Sequence, residues 1–195
     1  SSIRDKSSIN TIKSLDLDLI IMCGWRQVLD QEILDIPRMG VIGFHPTPLP
    51  KGRGPAPIIN SILAGWKKSA VTMFYVDSGT DTGDIIDRSF FEISEDDYAY
   101  DVYKKCIKAG RDLIKRNISS VLLDSNSKRF SQDSSKATYF KKLSLRDNKI
   151  DCLGCPEEAY RKIRAFSYPY LGAFFEIGAK KIVVDKARIC TKIKK

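Results

Sequence analysis

The chain has 195 residues, enough for one moderate domain with a small appendage, and 43% of them are hydrophobic, which allows a real core. No apolar run reaches the ~18 residues of a membrane span and the polar start carries no hydrophobic signal segment, so a cytoplasmic protein without a membrane partner is expected. A net charge of +9 favours an anionic partner, but the basic residues are scattered apart from the end of the chain, from Lys180-Lys181 to Lys194-Lys195, so charge alone does not select RNA.

Ile9, Ile12 and Leu15 are spaced for a short helical face. Residues 20–23 read as a buried strand, with Cys23 inside it, and residues 30–36 as a short helix stopped before Pro37. Residues 39–44 form a second apolar strand that ends on His45, the only histidine. Residues 56–64 read as a helix, with Pro57 in its first turn and Gly65 just past its end. Residues 70–76 and 85–93 are rich in strand formers. Over residues 100–123, Tyr103, Cys106, Ile107, Leu113, Ile114, Ile118, Val121 and Leu122 recur at helical spacing, with Gly110 on the same face: a long amphipathic helix. Residues 124–136 lack periodicity and read as a surface linker. Thr138-Tyr139-Phe140, a helix over 156–166 and two short strands over 173–177 and 181–184 complete a small module. The expected division is therefore a catalytic domain over 1–126 and a linker with a C-terminal module over 127–195.

The five cysteines form no regular framework. Cys23 and Cys106 are expected to be buried thiols. Cys152-Leu153-Gly154-Cys155 has metal or redox spacing, but a zinc site needs two further ligands; the pair reads as reduced thiols in a connecting segment, with no metal expected.

Two segments carry chemistry. His45 opens a loop, Pro46-Thr47-Pro48-Leu49-Pro50-Lys51-Gly52-Arg53-Gly54, that can neither continue the strand nor start a helix. The carboxyl end of a strand is where open α/β sheets bind ligands. A lone histidine there is either a packed core residue or an acid–base group. Asp77-Ser78-Gly79-Thr80-Asp81-Thr82-Gly83-Asp84 follows the next strand; taken alone, it is turn chemistry.

Together these segments resemble the folate-dependent formyltransferases (methionyl-tRNA formyltransferase-like), most closely the sugar N-formyltransferases. In that family a strand ending in Asn-x-His precedes a Ser-Leu-Leu-Pro-like turn and an Arg-Gly pair, and a loop Asp-x-Gly-x-Asp-x-Gly-Asp follows later. The matching residues are His45, Thr47-Pro48-Leu49-Pro50, Arg53-Gly54 and Asp77 through Asp84, and the resemblance runs from about Leu17 onward. It implies an α/β, Rossmann-like domain with a mostly parallel sheet. Members carry a first βαβ unit upstream of Leu17, so this sequence is expected to lack it, leaving four strands before the linker and an exposed sheet edge.

The resemblance also implies N10-formyltetrahydrofolate as co-substrate. His45 would donate to the developing oxyanion, and Asp81 would orient His45 or accept the amine's proton. The pterin would lie against Gln27, Val28 and Leu29, with Asp77, Ser78, Gly79 and Thr80 closing the other side. Asp77 and Asp84 also read as loop-shaping. Thr47, Pro48, Lys51, Arg53 and Pro55 match the acceptor side. Lys51 and Arg53 suit a phosphate, although Arg53 equally suits a structural ion pair. One departure stands out: the family's Asn is Gly43 here.

The short tail and the Phe44-His45-Pro46-Thr47 form of the motif favour the amine of a nucleotide-linked amino sugar, for surface polysaccharide (lipopolysaccharide) biosynthesis. Methionyl-tRNA is the alternative acceptor, because Arg53-Gly54-Pro55-Ala56-Pro57 and Pro169-Tyr170-Leu171-Gly172-Ala173-Phe174 also fit that class. Gly43 keeps open a third reading, a folate-fold module that binds without turnover. Tyr168-Pro169-Tyr170 and Phe174-Phe175 read as domain packing, or as a platform for stacking a base. A homodimer is expected from the sugar-modifying relatives.

Overall fold

The computed structural model describes residues 3–25, 27–124 and 129–190. In chain order the elements are α1 (Lys6–Ser14), β1 (Ile20–Met22), α2 (Gln31–Leu34), β2 (Val41–His45), α3 (Pro57–Leu63), β3 (Lys68–Tyr75), β4 (Ile85–Glu92), α4 (Ala99–Leu123), a 3-10 turn (Ser134–Lys136), α5 (Pro156–Phe166), β5 (Ala173–Ile177) and β6 (Lys180–Val184). Part of the expected linker, residues 125–128, and the last lysines, Lys194 and Lys195, lie outside the described residues.

The first four strands form one sheet in the order β1-β2-β3-β4. β1 and β2 are parallel, whereas β2–β3 and β3–β4 are antiparallel. The Rossmann-like class is as expected, but the sheet is mixed rather than mostly parallel. A strand's residue pattern records which face is buried, not which way its neighbour runs.

The two faces of the sheet have different duties. Ile42, Val71, Met73 and Tyr75 face the main core, formed with α3, α4 and α5. On the other face Val41 packs with Ile9, Leu29, Ile33 and Leu34. The side-chain period of two places His45 and Gly43 on the same face as Val41.

α4 buries Ala99, Val102, Cys106, Ala109, Leu113, Asn117 and Val121, a stripe at spacings of three and four. The Asp101 carboxylate accepts the Tyr98 N–H and closes the helix start. Tyr103, Ile107 and Leu122, expected on the buried face, are exposed. The sequence carries two adjacent apolar stripes, and the sheet covers only one.

Cys106 is buried, and desolvation pushes its thiol up to about 12. Cys23 is exposed, contrary to expectation, because β1 ends at Met22. Cys152 and Cys155 are free and exposed in the turn before α5, where the Cys155 thiol donates to the Glu157 carboxylate. No described helix is long and apolar enough to cross a membrane.

The packing runs across the expected 126/127 boundary: Ile150, Ile163, Ala165, Phe166 and Ala173 belong to the same core cluster as Ile42 and Leu113. Tyr170 and Phe175 pack against that cluster and Phe174 is buried, while Tyr168 is exposed and meets Tyr100 edge-on at 5.2 Å.

Leu113 is fully buried and Leu123 is 88% exposed. Leu113→Ala should lower stability by about 2–5 kcal/mol in denaturant unfolding, and Leu123→Ala should stay within about 0.5 kcal/mol. At pH 8 in native protein, iodoacetamide should label Cys23, Cys152, Cys155 and Cys190 while Cys106 stays unmodified until the chain is unfolded.

Candidate active site

The parallel pairing of β1 and β2 sets two loops at one end of the sheet. The loop after β1 carries Gln27, Val28 and Leu29; β2 ends on His45 and runs into residues 46–54. β3 runs the other way, so the loop over 77–84 turns back along the sheet to reach His45.

His45 is 6% exposed. Its Nε2 lies 2.8 Å from the Gly52 carbonyl oxygen. A carbonyl only accepts, so Nε2 carries the hydrogen. Nδ1 lies 3.5 Å from Asp81 Oδ2. The same carboxylate oxygen accepts the Gly54 N–H at 2.8 Å. Asp81 has φ 55, in the left-handed region that Asp tolerates better than most residues. Gly83 lets this turn lie against β3: a Cβ there would sit 1.8 Å from the Tyr75 carbonyl oxygen. Asp77 shapes the loop as expected, its Oδ1 accepting the Gly79 N–H at 3.1 Å and the Thr82 hydroxyl at 2.7 Å. Asp84 accepts from the Ser131 hydroxyl.

The loop after His45 is anchored to the sheet. Thr72, the register partner of His45, donates its hydroxyl to the Thr47 carbonyl at 2.6 Å and accepts the Leu49 N–H at 3.1 Å. Arg88 donates to the Leu49 carbonyl from Nε at 3.0 Å and Nη2 at 2.6 Å.

Two residues expected on the acceptor side are corrected by burial. Thr47 is fully buried, and its hydroxyl faces the Gly52 carbonyl. Arg53 is 1% exposed. Its guanidinium donates to Gln132 Oε1 from Nε at 3.1 Å and Nη2 at 2.7 Å, and to the Tyr139 hydroxyl from Nη1 at 2.8 Å. It therefore holds protein rather than phosphate, and its main partner is an amide rather than an acid. Lys51 and Pro55 are exposed, and Pro48 is half-buried.

On the expected pterin side, Gln27, Val28, Ser78, Gly79 and Thr80 are exposed. Leu29 is buried in the cluster that also contacts Val76, the residue before Asp77. The two loops are thus tied through one apolar cluster, and the Leu29 side chain is core rather than ligand surface.

Sequence reasoning missed Gln132 and Thr138, whose hydroxyl accepts the Gly52 N–H at 2.9 Å. Both lie in or beside the stretch read as linker. The one local signal was the Thr138-Tyr139-Phe140 run beside it.

Gly43 pairs across the strands with Phe74. A Cβ at Gly43 would lie 3.0 Å from Val76 Cγ2 and 3.1 Å from Phe74 Cε1. The aromatic ring occupies the space that a side chain at 43 would enter, the usual role of an aromatic opposite a strand glycine. Restoring an amide by Gly43→Asn should therefore destabilise the fold by about 1–3 kcal/mol through overpacking. Adding Phe74→Val should recover most of that loss, as a double-mutant cycle of unfolding free energies would measure.

Residues 1–118 match a family model described as formyl transferase. The methionyl-tRNA formyltransferase of Lysinibacillus sphaericus (strain C3-41) is 33% identical over 181 residues, covering 92% of this chain and 58% of that protein. The solved methionyl-tRNA formyltransferase from Clostridium thermocellum has a TM-score of 0.76 at 24% identity, over 95% of this chain and 79% of that one. The N-formyltransferase from Helicobacter canadensis, solved with folinic acid and dTDP-3-aminofucose, has a TM-score of 0.69 at 27% identity, over 83% of this chain and 59% of that one. The chain spans less than two thirds of the length of the curated relatives it matches. The family model covers more than half of the sequence and includes both His45 and Asp81: the chain belongs to the formyl transferase family.

Proposed function

We propose that this chain transfers a formyl group from N10-formyltetrahydrofolate to the primary amine of a nucleotide-linked amino sugar. The observation that carries the reading is the His45–Asp81 pair, 3.5 Å apart at the end of β2. Exposed Gln27 and Val28 on one loop and Ser78, Gly79 and Thr80 on another offer surface for a pterin edge.

The folate supplies the formyl group. The amine nitrogen bonds to the formyl carbon, the bond from that carbon to N10 breaks, the amine loses one proton and N10 gains one. With Nε2–H held by Gly52, Nδ1 is the His45 atom that faces the chemistry. Protonated, it donates to the developing oxyanion; Asp81 orients it and accepts the amine's proton. Gly43 contributes no side-chain donor, so the oxyanion rests more heavily on His45 than in relatives with an amide there.

The acceptor class is supported by the likeness to the enzyme solved with dTDP-3-aminofucose and by Lys51, exposed beside the site and suited to a phosphate. Methionyl-tRNA is the second reading, favoured by the 33% identity that extends over 92% of the chain.

Release of tetrahydrofolate should be measured for the full-length protein with a panel of nucleotide-linked amino sugars and with initiator methionyl-tRNA. Turnover with a sugar is expected, falling at least about 100-fold in His45→Ala and Asp81→Ala. Turnover confined to the tRNA, with affinity falling steeply with salt, would establish the second reading. Folate binding without turnover on any acceptor would support a binding module.

A further inference from the structure

We infer that Gln132 is a positioning residue for the His45–Asp81 pair, and that the stretch over 129–140 is a strap that assembles the site. The inference rests on the formyl-transfer reading above and assigns a role to residues beyond the 1–118 family match.

Asp81 holds a left-handed backbone conformation, which is uncommon for a non-glycine residue and persists where neighbours enforce it. Gln132 does so directly. Its Nε2 donates to the Asp81 carbonyl at 2.9 Å and to the Gly83 carbonyl at 2.7 Å. Its Oε1 accepts from Arg53 Nε and Nη2. The amide's orientation is unambiguous, because carbonyls only accept and a guanidinium only donates. Two donors and two acceptor positions are all that an amide side chain has, and all four are used.

Arg53 in turn sits between the two residues that contact the pair. Gly52 provides the carbonyl on His45 Nε2, and Gly54 provides the N–H on Asp81 Oδ2. Gln132 thus ties the His45 loop to the Asp81 loop at the residues that fix both ring nitrogens.

The strap is anchored on either side of Gln132. Phe130 and Ile85 exchange main-chain bonds at 2.9 and 2.8 Å. Further on, the Arg53 N–H donates to the Thr138 carbonyl at 2.9 Å and the Phe140 N–H donates to the Arg53 carbonyl at 2.8 Å. A Cβ at Gly54, which has φ 101, would lie 3.0 Å from the Phe140 carbonyl oxygen, so the strap presses on the very residue that holds Asp81. Glutamate at 132 would keep the acceptor for Arg53 but set a carboxylate against two carbonyls. Methionine would keep the shape and lose every bond.

The test compares wild type, Gln132→Glu, Gln132→Met and Asp81→Asn in the full-length protein. Turnover is one readout. The second is the ring Cε1–H NMR signal of His45 at fixed pH, assigned with His45→Gln, which needs no activity. Both Gln132 variants should lose about 10- to 100-fold in kcat with KM for the folate changed less than about threefold. Both should move the His45 signal toward its position in Asp81→Asn. A wild-type kcat and an unmoved His45 signal in either folded variant would overturn the inference, as would a lowered thermal midpoint alone. If the wild type turns over no acceptor, the functional reading fails, and the His45 signal still decides whether Gln132 positions the pair.

Discussion

One carboxylate oxygen organises this site. Asp81 Oδ2 faces His45 Nδ1 and takes the Gly54 N–H, so a single atom relates the strand that delivers the imidazole, the loop that follows it and the turn that supplies the acid. Each contributes through a feature hard to change separately. β2 must end at His45, Gly83 must be without a side chain, and Asp81 must hold an uncommon backbone conformation. A charge-assisted bond to a main-chain N–H is stronger than a neutral one. Here it is exerted next to a histidine whose other nitrogen is already committed to Gly52.

Much of this was legible in the residues. An apolar strand ending in histidine, followed by prolines and glycines, located the first half of the site; an Asp- and Gly-rich turn located the second. α5 and β5 fall where the pattern put them, because Pro156 marks a helix start and the aromatic-rich run over 173–177 favours a strand. Other features were not legible, for physical reasons. The residues left Arg53 open between a phosphate and a structural partner because its actual partners, Gln132 and Tyr139, lie 79 and 86 residues away in the chain. Nothing local distinguishes an arginine that meets a ligand from one buried under a distant segment. Strand direction was hidden as well, since β3 and β4 alternate or run apolar whichever way their neighbours point. The second apolar stripe of α4 was indistinguishable by period from the buried one.

Gly43 gains a different meaning in three dimensions. In the sequence it is a missing amide. In the fold it is one half of a cross-strand pair with Phe74, whose ring lies in the space that a side chain at 43 would enter. The site is consequently more apolar beside His45 than an amide would make it.

The central proposal is that residues 27–29 and the loop over 77–84, whose Asp81 faces His45, form the folate site. Hydrogen–deuterium exchange with and without folinic acid tests it most directly. The arrangement predicts slower exchange in those two segments and in residues 46–54, with little change in β5 and β6. Slowed exchange confined to α5 and the β5–β6 hairpin, or no change anywhere at saturating folinic acid, would contradict it.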